Sequence, residues 1–324
     1  MPHSPNGLEA ADRARVFVPH AFPETLADLG EVRMNYATAG EPDRPALLLI
    51  PGQSESWWGY EAAMPLLAEH FHVHAVDLRG QGRSSWTPGR YTLDNMGSDL
   101  VRFLDLVIGR PAVVSGLSSG GVLSAWLSAY AKPGQVRGAV WEDPPLYASE
   151  VRPACGQSIR QAAGPIFAMW NKWLGDQWSI GDWPGMLAAA PRELPPWVAA
   201  LLAGSEDGPP ADAGPPQNMK EYDPEWGRAF WTGSATVGCD HERMLASVRV
   251  PVLFTHHFRQ VDAATGTLMG AISDLQAARA RALVEAAGQP FEYRSFPEMP
   301  HSMHGADPEL YARTVTEWAA TLPA

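Results

Sequence analysis

The sequence contains only two cysteines, Cys155 and Cys239, in 324 residues. So sparse a count predicts buried free thiols in a reducing compartment rather than a disulfide framework, although the two could in principle pair. Neither a CxxC nor an HExxH pattern occurs, and we therefore expect no metal site.

Basic residues and long apolar runs are also scarce. There are 24 Lys and Arg residues against 36 Asp and Glu residues, and the resulting formal charge of −12 argues against a nucleic-acid partner. The N-terminal stretch MPHSPNGLEAADRAR lacks the apolar segment of a signal peptide. No other stretch approaches the roughly 20 apolar residues of a membrane span. These absences predict a cytoplasmic protein without a membrane partner.

Short apolar and β-branched runs alternate with amphipathic helical stretches, a pattern typical of a parallel sheet covered by helices. With 45% apolar residues, the chain can bury a large core. A helix is predicted between the third and fourth strands, because Met96, Leu100, Phe103, Leu104 and Val107 recur at helical spacing. The predicted strands cover residues 32–39, 46–50, 73–78, 112–115, 136–141, 250–255 and 291–296.

The alternation breaks between residues 147 and 245, where proline and glycine cluster in SEDGPPADAGPPQ and seven of the 13 tryptophans occur. We interpret 148–245 as a helical cap (lid) inserted into a core domain of residues 1–147 and 246–324. Open α/β folds bind ligands at the carboxyl edge of the sheet, and the cap is expected to cover that edge. Most of its tryptophans should pack the cap itself, and two or three should line an aromatic pocket.

The stretch Gly116-Leu117-Ser118-Ser119-Gly120 fits the G-x-S-x-G turn between a strand and a helix, which exposes one serine hydroxyl. Its spacing selects Ser118 as a nucleophile. The helix that follows presents free N–H groups to a developing oxyanion, and Ser119 N–H is one candidate donor. The second candidate is Gln53 N–H, in the glycine turn after the strand at 46–50. The later stretch DLRGQGRS is expected to fix a loop near the site.

Four histidines follow the last two predicted strands. His301 is the favoured general base, because it comes soonest after the final strand, whereas His304 begins the next turn and is expected to cap or pack. His256 and His257 end the strand at 250–255. Either they contact substrate or they close that strand as polar residues.

Three carboxylates are candidates for the residue that orients the base: Glu142, Asp143 and Asp262. Asp262 lies seven residues beyond Thr255, whereas Glu142 and Asp143 stand directly at a strand end. Consecutive residues leaving a strand point to opposite sides, so at most one of that pair can face His301. We predict Glu142, because its side chain has the longer reach.

With these residues assembled, the sequence resembles the zearalenone hydrolases, lactonases of the α/β-hydrolase fold that open a resorcylic macrolactone. The elbow GLSSG, the 24-residue interval from Ser118 to Glu142, and the segments GDQWSIGDW, EYDPEWGRAFW and SDLQ carry the resemblance. It implies a Ser118–His301–Glu142 triad and no cofactor. An apolar macrolactone needs apolar walls, and the expected substrate contacts are Trp178, Trp183, Trp226 and His257.

The expected partner is thus a small-molecule lactone substrate, with a homodimer as a further candidate assembly. Where related lactonases carry a glycine, this chain has Gln53, whose side chain must turn away or join the site. The triad residues alone do not determine which acyl group is cleaved, so a carboxylesterase or perhydrolase of other substrate range is an alternative. A hydrolase-fold receptor that binds a lactone without rapid turnover is another.

Overall fold

The computed structural model describes residues 18–150, 159–174, 182–196, 215–264 and 266–323. Eight strands form one sheet in the order β1-β2-β4-β3-β5-β6-β7-β10, and β8 and β9 form a separate hairpin. The strands are β1 Glu24–Asp28, β2 Arg33–Ala39, β3 Ala46–Ile50, β4 His72–Val76, β5 Ala112–Leu117, β6 Val136–Glu142, β7 Val252–His256, β8 Arg259–Val261, β9 Leu268–Gly270 and β10 Phe291–Ser295.

The sheet is mostly parallel. Strands β1, β2 and β4 pair antiparallel at one end, and every pairing from β4 through β3, β5, β6 and β7 to β10 is parallel. The carboxyl ends of these six parallel strands therefore meet at one edge. That edge carries the candidate site.

Helices connect the strands. Thr92 caps the predicted crossover helix by accepting a hydrogen bond from Asn95 N–H, and Ser273 and Gln276 form a capping box. The helices are α1 Met64–Ala68, α2 Leu93–Phe103, α3 Ser119–Tyr130, α4 Arg160–Trp173, α5 Trp183–Glu193, α6 Gln217–Lys220, α7 Pro224–Thr232, α8 His241–Leu245, α9 Asp274–Ala286, α10 Met303–Ala306 and α11 Pro308–Ala319.

The core has two layers because successive strand residues point to opposite faces. Leu48 and Ile50 of β3 belong to the apolar cluster that includes residues of α2 and α3. Leu47 and Leu49 belong to the cluster on the other face, with residues of α1 and α11. All four leucine and isoleucine side chains are fully buried. The sheet is therefore covered on both faces, as predicted.

All seven predicted strands are present, with ends within two residues of the predicted ones. Sequence reasoning missed β1, β8 and β9. Strand β1 lies at the sheet edge with an exposed pattern, and β8 and β9 have three residues each. Short or edge strands bury too little apolar surface to show a periodic pattern.

The interval between β6 and β7 contains α4 to α8, which agrees with its helical character. The exact division into core and cap stays a prediction. Cys239 is buried and free, and Cys155 lies outside the described residues. None of the helices described has the length and apolar character required to cross a bilayer.

Candidate active site

Ser118 lies in the sharp turn between β5 and α3. Its φ of 54° and ψ of −120° are unusual for a residue with a side chain, and backbone of this kind is concentrated at functional sites. A hydrogen bond of 2.9 Å from Ser118 N–H to the Glu142 carbonyl ties the turn to the end of β6. The geometry is that of a nucleophile elbow, as the sequence predicted.

The glycines around Ser118 are required by close backbone contacts. A Cβ at Gly116 would lie 2.2 Å from the Gly120 carbonyl oxygen, and a Cβ at Gly120 would lie 2.3 Å from that of Ile50. No side chain fits at either position without displacing backbone. These glycines therefore hold α3 against β3 and fix the direction of the serine.

Two backbone N–H groups flank the elbow. Ser119 is the first residue of α3, so its N–H has no partner within the helix. Gln53 N–H makes no hydrogen bond to any described residue. The Gln53 side chain instead donates from Nε2 to the Tyr222 hydroxyl at 2.7 Å, which turns it toward the segment before α7. The glutamine thus leaves its backbone donor available.

His301 is paired with Asp143. Their Nδ1 and Oδ2 atoms are 2.6 Å apart, and the other Asp143 oxygen accepts from His257 N–H at 3.1 Å. The His301 side chain is 46% exposed, whereas that of Asp143 is 1% exposed. Because Nδ1 binds the carboxylate, Nε2 is the nitrogen left to exchange a proton.

The predicted pairing of Glu142 with His301 is wrong. Both Glu142 oxygens face His304 Nδ1, at 2.9 and 3.2 Å, and both side chains are 1% exposed. Glu142 and Asp143 bind different histidines, so only one of the pair faces His301, as predicted. Asp143 has a φ of 41°, a left-handed turn that aims its shorter side chain at His301. Side-chain length was therefore the wrong criterion for choosing between Glu142 and Asp143.

Ser118 Oγ makes no hydrogen bond to His301, although both residues lie at the carboxyl edge. The chain of contacts from Ser118 N–H to the Glu142 carbonyl, and from the adjacent Asp143 to His301, holds the elbow and the base in one assembly. Hydrogen bonds between a nucleophile and its base are often long until substrate binds. The arrangement is compatible with nucleophilic catalysis.

Burial and charge oppose each other in the His301–Asp143 pair. Partial loss of solvent around the half-exposed His301 ring lowers its pKa, but the hydrogen bond and charge of Asp143 outweigh this effect, and the pKa lies above its ordinary value. Burial likewise raises the pKa of Asp143, yet the hydrogen bond and charge of His301 bring it below its usual range. The paired, charged form of the imidazole is therefore favoured.

His257, an expected substrate contact, has no exposed surface, and both of its ring nitrogens face protein partners. It is fully buried, and its Nδ1 lies 2.9 Å from the His301 carbonyl oxygen while Nε2 lies 3.0 Å from Thr255 Oγ1. His256 is also fully buried, between the Tyr293 hydroxyl and the Ile272 carbonyl. These contacts agree with the alternative interpretation, in which His256 and His257 are polar residues that close the strand. His257 also supports the loop that carries His301.

Asp262 lies in the turn of the β8–β9 hairpin, where its N–H donates to the Thr267 carbonyl and its own carbonyl accepts from Gly266 N–H. Its side chain accepts from Ala264 N–H at 3.2 Å. A residue engaged in a hairpin turn is not placed to orient His301. Asp143 remains the carboxylate that does so.

The DLRGQGRS stretch has the structural role that was predicted. Asp77 is buried and accepts hydrogen bonds from Trp57 N–H, Arg83 N–H and Asn35 Nδ2 at 2.7 to 2.9 Å. Gln81 Nε2 donates to the Gly52 carbonyl at 2.7 Å. This loop therefore supports the turn that presents Gln53 N–H.

A small cavity of about 20 Å³ is lined by both Gln53 and Ser119, the two residues whose N–H groups were predicted to hold an oxyanion. The Oγ atoms of Ser119 and Ser149 are buried and have no partner among the described residues. Sequence reasoning missed Ser149, which lies in a turn after β6, and Phe230 of α7, because no local spacing shows which residues of these segments meet the core. The cavity is lined by Gln53, Leu93, Ser119, Val122, Pro145, Ser149, Trp226, Phe230, Ala235 and Thr236.

Of the three predicted substrate tryptophans, Trp226 lines this cavity and is 2% exposed. Trp183 begins α5 and packs, partly buried, against the main apolar cluster. Trp178 lies outside the described residues. Within the described ranges, no three His, Cys, Asp or Glu side chains are grouped so that they could hold a metal ion.

Comparison with known sequences gives matches over part of the chain. A sequence family described as alpha/beta hydrolase fold matches residues 45–174. The 3-oxoadipate enol-lactonase 2 of Acinetobacter baylyi is 36% identical over 109 residues, which are 33% of this chain and 40% of the lactonase. The bifunctional epoxide hydrolase 2 of Sus scrofa is 34% identical over 139 residues, or 42% of this chain and 24% of that enzyme. The matches thus span less than half of either relative.

Comparison with solved structures covers nearly the whole chain. A hydrolase from Pseudomonas aeruginosa PA01 superimposes with a TM-score of 0.64 at 21% identity, over 93% of this chain and 100% of that one. At this identity the likeness defines the architecture alone. It agrees with the family match and with the observed sheet, and the predicted fold class is confirmed.

Proposed function

We propose that this chain, which has the α/β-hydrolase fold, is a serine hydrolase that cleaves lactone esters. The observation that carries the proposal is the His301–Asp143 pair, 2.6 Å apart, at the same sheet edge as the strained Ser118 elbow and two backbone N–H groups. Nucleophile, base, orienting carboxylate and oxyanion site are the four parts that acyl transfer requires.

In the proposed reaction, Ser118 Oγ bonds to the ester carbonyl carbon while its proton passes to His301 Nε2. The N–H groups of Gln53 and Ser119 hold the resulting oxyanion. The bond to the ring oxygen then breaks, and that oxygen takes the proton from His301. Water next attacks the acyl-serine and gives its proton to His301. The ring-opened hydroxy acid leaves, and Ser118 recovers its proton.

For the substrate we propose zearalenone or a similar resorcylic macrolactone. The proposal rests on the resemblance of the cap segments and on the cavity, which is lined both by Trp226 and Phe230 and by Ser119 and Ser149, whose hydroxyls have no partner among the described residues. An aromatic acyl group with oxygen substituents satisfies both kinds of surface. A macrocycle is larger than the cavity, so the wall formed by α7 must move outward to admit it.

The direct test is incubation of the purified protein with zearalenone, followed by mass spectrometry for a product that has gained one water. The 4-nitrophenyl ester of acetic acid is assayed in parallel. Multiple turnovers of zearalenone support the lactonase. Rapid turnover of the acetate ester alone would assign an esterase of other range, and about one turnover of either compound would assign a receptor.

The raised pKa of His301 predicts the pH dependence. Only the neutral imidazole can accept the Ser118 proton, so kcat/KM should fall as the pH drops through the pKa of His301. We expect the midpoint of this acid limb to lie above 6.5, the ordinary histidine value. A midpoint at or below 6.5, measured with an ester stable across the range, would contradict the Asp143 pairing.

Trp226→Ala tests the proposed aromatic wall. Losing the ring contact should raise KM for zearalenone by about tenfold, since aromatic pairs contribute about 0.5–1.5 kcal/mol beyond buried area. KM for 4-nitrophenyl acetate should be nearly unchanged. Trp183→Ala is the matched control, because Trp183 packs in the cap away from the described cavity. Equal effects of both variants on KM would remove Trp226 from the substrate site.

A further inference from the structure

Three segments of the site meet at His304, which the proposed reaction does not use. The first is the end of β6, where Glu142 lies 2.9 Å from His304 Nδ1. The second is the turn of residues 51–56, here called the oxyanion turn, where Glu55 lies 3.9 Å from His304 Nε2 and accepts from Gly52 N–H at 3.1 Å. The third is the loop that carries His301.

Glu142 also binds the backbone of the His301 loop. Its Oε1 accepts hydrogen bonds from the N–H groups of Met303 at 2.7 Å and of His304 at 3.2 Å. A buried carboxylate with this many donors is held in one position. The backbone two residues after His301 is therefore fixed to the same strand end that carries Asp143.

The remaining groups around the His304 ring are neutral. Tyr60 stacks on the ring with centroids 3.8 Å apart, and Tyr311 meets it edge-on at 5.5 Å. Burial raises the pKa of both phenols well above the usual range, so neither carries charge. Ser302 Oγ lies 3.3 Å from His304 Nε2. The two carboxylates are thus the charged groups that face His304, and His301, when protonated, is a further cation whose charge acts on it.

We propose that His304 is a positioning residue, held as a cation between Glu142 and Glu55, that fixes the oxyanion turn and the His301 loop relative to each other. Without a cation between them, the buried Glu142 and the partly exposed Glu55 would repel each other, and each would lose its charged partner while keeping its backbone N–H donors. With the cation in place, the segments presenting Gln53 N–H and His301 Nε2 share one anchor. The inference rests on the proposed function, because the aligned groups matter only if Ser118 reacts.

The same arrangement has an electrostatic consequence at His301. The negative charges of Glu55 and Glu142 both favour the charged form of His301 and contribute to its raised pKa. A cation at His304 offsets them. Removing that cation should therefore raise the pKa of His301 further, whereas removing a carboxylate should not.

The test uses the full chain and a fluorophosphonate, whose phosphorus is attacked by an activated serine with loss of fluoride. In His304→Asn, the amide can still donate to Glu142, but the charge and the link to Glu55 are lost. We expect a labelling rate about ten to one hundred times slower than wild type. We also expect the acid limb of its pH profile to move up by about 0.5 to 1 pH unit.

Glu142→Gln and Tyr311→Phe complete the set. Glu142→Gln should slow labelling, but its acid limb should stay in place or move to lower pH, because a negative charge has been removed. Tyr311→Phe removes a buried hydroxyl that bonds Ser115 at 2.7 Å and keeps the ring beside His304. It should label within about threefold of wild type. It controls for a general loss of stability in the same region.

The outcomes separate the two proposals. No labelling of the wild type would overturn the proposed function itself. Normal wild-type labelling, with a His304→Asn protein that is folded, equally fast and unshifted in its acid limb, would overturn the positioning role alone. A rate loss in His304→Asn matched by Tyr311→Phe, with no movement of the acid limb, would reduce His304 to a packing residue and overturn the inference as well.

Discussion

Ser118→Ala is expected to lower kcat for lactone hydrolysis by about 10⁵- to 10⁶-fold, the range seen when a nucleophile of this kind is removed. The change deletes one hydroxyl from an elbow whose shape depends on Gly116 and Gly120, so the fold and ligand binding should persist. Product formation by mass spectrometry gives the rate. Quenching of tryptophan fluorescence by zearalenone gives binding in the same variant.

The neighbouring serine provides the control. Ser119 contributes a backbone N–H in the proposed reaction, and Ser119→Ala keeps that group. We expect it to retain kcat within about tenfold. A dead Ser119→Ala protein beside an active Ser118→Ala protein, both folded, would mean that the elbow presents the other hydroxyl.

Asp143→Asn is expected to lower kcat by about 10⁴-fold. The amide cannot hold the His301 proton on Nδ1 as a carboxylate does, and it cannot stabilise the imidazolium that forms. The geometry should otherwise persist, since the asparagine oxygen can still accept from His257 N–H. The acid limb of fluorophosphonate labelling should also move to lower pH, because the charge that raises the pKa of His301 is gone.

Variants of two other carboxylates serve as controls for Asp143→Asn. Glu142→Gln should cost about ten- to one-hundredfold in kcat, through the position of the His301 loop. Asp262→Asn, in the hairpin turn, should cost less than threefold. If Glu142→Gln instead lost about 10⁴-fold while Asp143→Asn lost little, the imidazole would have to exchange partners during turnover, and the assignment of Asp143 would fail.

The sequence predicted those parts of the molecule that depend on local pattern. Seven strands of the main sheet, the crossover helix and the elbow at Ser118 each carry an apolar pattern or a glycine spacing that can be read along the chain. His301 was selected by its position after the last strand, and the structure places it beside a carboxylate. These features are set by residues close to one another along the chain.

The choice between Glu142 and Asp143 could not be made from the sequence. It depends on a left-handed φ at Asp143 and on a second histidine, His304. The backbone N–H and the ring Nδ1 of His304 both contact the Glu142 carboxylate. The role of His257 depends likewise on the carbonyl of His301, which is 44 residues further along the chain. Such pairings are tertiary, and no local periodicity encodes them.

The most direct test of the account is tandem mass spectrometry of the fluorophosphonate-treated protein. The account predicts one adduct, located on Ser118, in the wild type. It predicts none in Ser118→Ala and a strongly slowed reaction in Asp143→Asn. An adduct on Ser119, or zearalenone hydrolysis that continues in protein fully labelled at Ser118, would contradict the claim that Ser118 is the nucleophile.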